Sequence, residues 1–212
     1  MNNAIFTFPK PSNEPVQGYQ PGSAERKAIR EAMDKLLSEV TEIPIIIGGK
    51  EIRTGNMGDV VMPTDHKHVL ARYHKVSEKE VQMAIDAAMA AHKEWADTPW
   101  VDRASVMMKI AALLAGKYRY EMNASTMLGQ AKTTMQAEID SACEAIDFFK
   151  FNVHYASQIY ADQPISDNGT LNRVEYRPLE GFVFAITPFN FTSIASNLCM
   201  SPVLMGNTCI WK

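Results

Sequence analysis

The sequence predicts an α/β fold: an N-terminal arm, a β-hairpin and a helical bundle leading into the first strands of a Rossmann-type parallel sheet. Three observations predict it. Residues 179–212 read as strand, turn, helix, strand: Thr187-Pro188 ends the β-type run 182–186, an apolar segment follows, and Gly206-Asn207 introduces a second run, 208–211. Strands joined by such a crossover are parallel neighbours, and the connection is right-handed. Residues 77–158 place apolar side chains at helical spacing, and residues 45–73 hold short β-type runs around Gly48-Gly49. A parallel sheet ordinarily continues past two strands, so the sequence predicts a sheet truncated at Lys212.

Taken in order, residues 1–22 carry Pro9, Pro11, Pro15 and Pro21 without periodicity, an extended arm that other elements must hold. The region 23–76 follows. Ser23 is the expected N-cap of an amphipathic helix whose stripe is Ala28, Ile29, Ala32, Met33, Leu36, Leu37 and Val40, closed by Pro44. Residues 45–53 read as a hairpin about Gly48-Gly49; no helix follows and the GxGxxG spacing is absent, so the glycines are not a phosphate loop. Residues 60–63 and 69–73 add short strands. His66 and His68 flank Lys67 between them, and without a third ligand nearby they read as solvated turn residues rather than a metal site.

The region 77–160 is helical. Ser77 and Glu80 have capping-box spacing ahead of Val81, Ala84, Ile85, Ala88, Met89 and Trp95, and Thr98-Pro99 ends that helix. A second helix spans about 101–114, with Val106, Met107, Ile110, Leu113 and Leu114 inward, and a third about 117–128. A fourth, about 134–158, turns Ile139, Ala142, Cys143, Ile146, Phe149 and Val153 to the core. Asp140, Glu144 and Asp147 share another of its faces and read as a solvated row. The region 161–178 is a polar loop and then a strand with one wet face, Leu171, Val174 and Tyr176 alternating with Arg173, Glu175 and Arg177 up to Pro178. No repeats or low-complexity tracts occur.

Composition bounds the function. An apolar content of 46%, charge of 21% and net charge of −3 describe a globular chain with scattered basic residues, which argues against nucleic-acid partners. No apolar run approaches the roughly 20 residues that span a bilayer, and the N-terminus has neither signal-peptide nor transit-peptide character, so the expected location is cytoplasmic, or the mitochondrial matrix in a eukaryote. Cys143, Cys199 and Cys209 are far apart in apolar contexts and read as buried, inert thiols.

The chemistry concentrates in the last region. Ligands of open parallel sheets sit beyond the carboxyl ends of the strands, which here are Ile186-Thr187-Pro188 and Lys212. Asn190 lies just past that edge. A carboxamide can donate to a developing oxyanion without titrating, and a lysine can donate to ribose hydroxyls or a phosphate. Each has a plainer alternative: Asn190 as a helix cap, Lys212 as a solvated surface lysine.

The string Ile186-Thr187-Pro188-Phe189-Asn190-Phe191, followed by Gly206-Asn207-Thr208 and Trp211-Lys212, resembles the aldehyde dehydrogenase superfamily. Within it, NEPV at 13–16, PGS at 21–23, IGGKEIRTGN at 47–56, TMLGQ at 126–130, QAEIDSACEAIDFFKFN at 136–152 and EYRPLEGFVFAITPFNF at 175–191 resemble the L-glutamate γ-semialdehyde (Δ1-pyrroline-5-carboxylate) dehydrogenases. The resemblance implies NAD-dependent oxidation of the semialdehyde to glutamate in proline catabolism, by a cysteine thiolate and a general-base glutamate. It implies a catalytic Asn190 at the oxyanion, Phe191 and Glu144 at the substrate, and Ile186, Thr187, Pro188, Phe189 and Lys212 at the cofactor. It also implies a homo-oligomer, at least a dimer. Two departures stand out. Cys199-Met200-Ser201 replaces small residues and proline, and members of the family are well over twice as long; the resemblance implies that nucleophile, base and phosphate loop lie beyond Lys212, and none of the three cysteines has the nucleophile's context. The expected protein is therefore an N-terminal portion, inactive alone. The alternative is a non-catalytic assembly module or a decayed gene product.

Overall fold

Residues 8–20 hold too many prolines for a helix and find no partner strand, so they run extended over the helices that follow. The computed structural model describes residues 8–212; the first seven residues of the predicted arm lie outside the described residues. The arm is fixed by buried polar groups. Its Tyr19 takes a left-handed φ of 48°, and the phenol donates to Glu138 Oε2 at 2.6 Å. Glu138, fully buried, also accepts from Gln17 N at 2.9 Å and Asn123 Nδ2 at 2.7 Å, and it pairs with the Arg119 guanidinium. Arg119 reaches Glu14 Oε1 at 2.7 Å and the Pro15 carbonyl at 2.8 Å, and Lys150 holds the other Glu14 oxygen at 2.6 Å. Burial alone would raise the Glu138 carboxyl; the hydrogen bonds from Arg119, Tyr19 and the Gln17 amide outweigh it and hold the group below the usual carboxylate range. Burial, then the bond to Glu138, pushes the Tyr19 phenol upward.

Ser23 caps α1 (Ala24–Ser38) as its sequence position requires, its hydroxyl accepting from Arg26 N at 3.2 Å. Ile29 and its neighbours Ala32, Met33 and Leu36 pack with Tyr19 and Ala124. Strands β1 (Thr41–Ile43), β2 (Ile45–Ile47), β3 (Lys50–Ile52), β4 (Met57–Met62) and β5 (Asp65–His74) follow. The β2–β3 hairpin turns on Gly48 and Gly49 at φ 56° and 74°, a conformation that glycine adopts without steric cost. β5 lies between β1, parallel, and β4, antiparallel. Pairing of Met62 with Asp65 leaves only Pro63-Thr64 for the turn, so His66 and His68 lie within β5 rather than in a turn as the sequence suggested.

The capping box of α2 (Glu78–Asp97) forms as read, but Val81 and Met89 stay exposed, so its apolar stripe is only partly covered. The main core lies between α3 (Trp100–Ala115) and the helix beginning at Glu144 with the turn before it, where Ala104, Met107 and Ala111 meet Ala142 of that turn and Ile146, Phe149, Val153 and Ala156 of the helix. Val106, expected inward, is exposed, because the seam that approaches closely is the alanine-bearing one. Arg103, buried, donates to the carbonyls of Leu204 and Thr98 and to the Tyr160 hydroxyl, satisfying helix-end carbonyls. After α4 (Arg119–Gln130), the predicted fourth helix divides into α5 (Thr134–Ala137), a π-helical turn (Glu138–Cys143) and α6 (Glu144–Ala161). The wider turn changes the register that a 3.6-residue period assumes. Glu138 goes to the interior and Ile139, expected there, is 46% exposed.

Asp140, Glu144 and Asp147 are not a solvated row. Each is half-buried and holds another element: Lys132 for Asp140, Ser193 for Glu144, and Asn13 with the Glu14 amide for Asp147. The strand expected at 171–178 does not form. Alternation alone makes no strand without a partner, and no strand among the described residues pairs with this segment, whose Val174 backbone bonds the Gln163 side chain instead; Leu171 is 78% exposed and nearby Ile165 92%. The last region does form a βαβ unit, with β6 (Val183–Ala185) and β7 (Cys209–Trp211) parallel and α7 (Thr192–Leu204) between them.

Candidate active site

The βαβ topology puts the carboxyl ends of β6 and β7 side by side, with Ala185 opposite Trp211. Lys212 N–H donates to the Ala185 carbonyl at 2.9 Å, and Thr187 returns two bonds to the Lys212 carbonyl, from its amide at 2.8 Å and its hydroxyl at 3.0 Å. The Trp211 indole N–H donates to the same hydroxyl at 3.3 Å. The backbone of this edge is thus fixed, while the Lys212 side chain is exposed and pairs with no carboxylate among the described residues. Beside it, Ile186 is 62% and Phe189 91% exposed, and Pro188 is half-buried. Two apolar faces and a cation on one rigid edge can take a ligand with a flat apolar part and hydroxyl or anionic groups.

Asn190 follows in the turn before α7. The residue at the helix cap is Phe191, and no side chain caps α7. The capping alternative for Asn190 is therefore not what the chain does: its carboxamide bonds to none of the described residues and is exposed. Its backbone carbonyl, by contrast, accepts from Lys132 Nζ at 2.6 Å. The same ammonium lies 4.1 Å from the centroid of the Phe191 ring and 3.0 Å from Asp140 Oδ2. The first turn of α7 is held from below: Thr192 Oγ1 shares hydrogen bonds with Thr126 Oγ1 at 2.8 Å and Gln130 Nε2 at 3.1 Å, and Thr126 also bonds the buried Ser141. Ser193, fully buried, donates to Glu144 Oε2 at 2.5 Å.

The structure thus joins Thr187 to Lys212 directly, and the Asn190–Phe191 turn to the π-helical turn that leads into Glu144. Phe189 and Ile186 stand exposed at the edge. The sequence reading missed Lys132, Gln130, Thr126 and Ser193. One signal was available: Thr133 and Gln136 form a second capping box, which marks a chain reversal right after Lys132.

Burial pushes the Cys143 and Cys199 thiols up to about 12, and raises Cys209 as well. A thiolate is the reactive form, so Ellman's reagent at pH 8 should label the folded chain far more slowly than the urea-unfolded one; fast labelling of the folded chain would contradict the burial. Among the described residues no cluster of three or more His, Cys, Asp or Glu could hold a metal, and no helix is long and apolar enough to cross a membrane.

Residues 52–212 match the aldehyde dehydrogenase family. The chain is 49% identical to the probable delta-1-pyrroline-5-carboxylate dehydrogenase of Schizosaccharomyces pombe, over 99% of this chain and 38% of that protein. It superposes on the crystal structure of the delta-pyrroline-5-carboxylate dehydrogenase from Mycobacterium tuberculosis with a TM-score of 0.97 at 48% identity, covering 100% of this chain and 39% of that one. The form of that enzyme bound with NAD gives a TM-score of 0.96 at 48% identity, over 99% of this chain and 39% of that one. The chain thus spans about two fifths of the length of the relatives it matches. The family match spans residues 52–212, three quarters of the sequence, and the chain belongs to the aldehyde dehydrogenase family.

Proposed function

We propose that this chain supplies one substrate-and-cofactor edge of a dehydrogenase that oxidises L-glutamate γ-semialdehyde, the open form of Δ1-pyrroline-5-carboxylate, to glutamate with NAD. The observation that carries the proposal is Asn190: its carboxamide is free and exposed while its own carbonyl is tied down. That is the arrangement an oxyanion donor needs, since a donor that must first break another bond or reorient loses part of its advantage.

In this reading the Asn190 amide N–H donates to the aldehyde oxygen as it gains negative charge under thiolate attack. Being neutral, the amide keeps this role across the pH range in which a thiolate exists. Phe191, its ring fixed beneath the Lys132 ammonium, forms an apolar wall of the aldehyde pocket, and Glu144, fixed by Ser193, borders the substrate. The exposed edge suits a dinucleotide: Lys212 donates to the adenosine ribose, and Ile186, Thr187, Pro188 and Phe189 border the cofactor. NAD, when bound, supplies the hydride acceptor. The nucleophile is none of Cys143, Cys199 and Cys209: the first two thiols are buried, the third is half-buried, and burial raises all three above the ordinary thiol value.

The test is nicotinamide reduction. A protein of the relatives' length that carries this chain should form NADH when given Δ1-pyrroline-5-carboxylate and NAD, and residues 1–212 alone should form none. Absence of NADH from the longer protein would remove the proposed substrate, and turnover by residues 1–212 alone would put a nucleophile among the three cysteines.

A further inference from the structure

We propose that Lys132 is a positioning residue for the reaction, holding the oxyanion donor Asn190 and the pocket wall Phe191 in one fixed relation; this rests on the function proposed for those two residues. The peptide of Asn190 belongs to neither β6 nor α7, so no strand ladder or helix fixes it. What fixes it is one ammonium group. Lys132 Nζ donates to the Asn190 carbonyl at 2.6 Å and lies over the Phe191 ring at 4.1 Å, a cation–π distance. Asp140, one helical turn before Glu144, anchors the ammonium at 3.0 Å.

A lysine just past a helix end is ordinarily solvated. Here the side chain is only 13% exposed, and Asp140 is 26% exposed. The backbone is bent to put it there: Ala131, at the end of α4, takes a left-handed φ of 55°, a conformation that position usually leaves to glycine or asparagine. Such a conformation in alanine persists where surrounding contacts over-determine it. The neighbouring bonds from Thr126 and Gln130 to Thr192 hold the helix side of the same turn, so Lys132 governs the part of it that no hydroxyl reaches. An oxyanion donor acts through placement, and a displacement of about 1 Å costs on the order of 10²-fold in rate.

Lys132→Met keeps the stem and removes the charge and its donors. In the longer protein it should lower kcat roughly tenfold or more with little change in KM, and Lys132→Arg, which restores a cation and donors, should recover most of the loss. In an Asn190→Ala background, Lys132→Met should add a clearly smaller further loss, about twofold, because the donor it positions is gone and only the Phe191 wall remains to be displaced. An equal further loss in that background would overturn the inference in favour of a general structural role, and an unchanged kcat for Lys132→Met alone would overturn it outright. Hydrogen exchange on residues 1–212 decides the contact independently of activity. Lys132→Met should speed exchange of the Ala195 amide, which donates to the Phe191 carbonyl at 3.1 Å, about tenfold while α3 keeps its protection, since loss of a hydrogen bond from a charged group loosens the turn that presents that carbonyl. Unchanged exchange there overturns the inference. If Asn190→Ala keeps the full rate, the proposed role of Asn190 fails, and the exchange result still decides whether Lys132 holds the turn.

Discussion

Asn190→Ala is expected to lower kcat by about 10²–10³-fold in the proposed dehydrogenase, a protein of the relatives' length that carries this chain, with its thermal stability unchanged. The two halves of that expectation have separate physical grounds. The rate falls because the carboxamide bonds to none of the described residues and is free to meet a ligand, and a donor aimed at developing charge stabilises the transition state more than the ground state. Stability holds because alanine keeps the carbonyl that accepts from Lys132, and because the amide makes no bond within the described residues. Steady-state kinetics with Δ1-pyrroline-5-carboxylate and NAD, beside a melting curve, measure both. A variant with the parent kcat would take Asn190 out of the mechanism. A variant with a much lower melting temperature would mean that the amide has a structural partner.

What could be read from the sequence was whatever local chemistry or topology dictates. The Ser77–Glu80 capping box, the Gly48-Gly49 hairpin and the Ser23 cap are settled by residues within a few positions of one another, and each formed as read. The edge made by Thr187 and Lys212 was legible for a different reason: once 179–212 is a βαβ unit, both residues must fall at carboxyl strand ends. The surroundings of Glu144, which only the resemblance had singled out, were not legible from spacing, since i, i+4 spacing with Asp140 describes a solvated face equally well, and only the arrival of α7 gives it Ser193. The same holds for Arg119 and Glu138. Charged residues on helices default to the surface, and these two are buried only because Tyr19 and Glu14 reach them from more than 100 positions earlier. The alternation at 171–178 is real, but a strand needs a partner strand, and the described residues supply none.

That buried pair carries the largest stability effect expected in the chain. Arg119 is 2% exposed and Glu138 fully buried, and the guanidinium bonds Glu138, Glu14 and the Pro15 carbonyl at once. Arg119→Met should cost about 3–5 kcal/mol at pH 7, because it leaves a carboxylate in the interior with only neutral donors. Removing both charges, as Arg119→Met with Glu138→Met, should cost less than the single change, since the uncompensated charge is then gone. The pH dependence separates this from simple loss of packing. In the parent chain the Glu138 and Glu14 carboxyls lie below their ordinary value of 4.5, so their contribution is present above that pH and lost as pH falls through the lowered folded values. Without Arg119, burial dominates and the Glu138 carboxyl rises above its ordinary value, so the folded variant gains stability relative to the parent as pH falls. The gap between parent and variant should therefore be widest near pH 7 and narrow steadily below about pH 5. Urea unfolding of both chains across that range measures it, and proteolysis of the arm at residues 14–20 should accelerate in the variant at neutral pH. A gap that stays constant with pH would mean that Arg119 acts through its bulk, and that the arm is not held by charge.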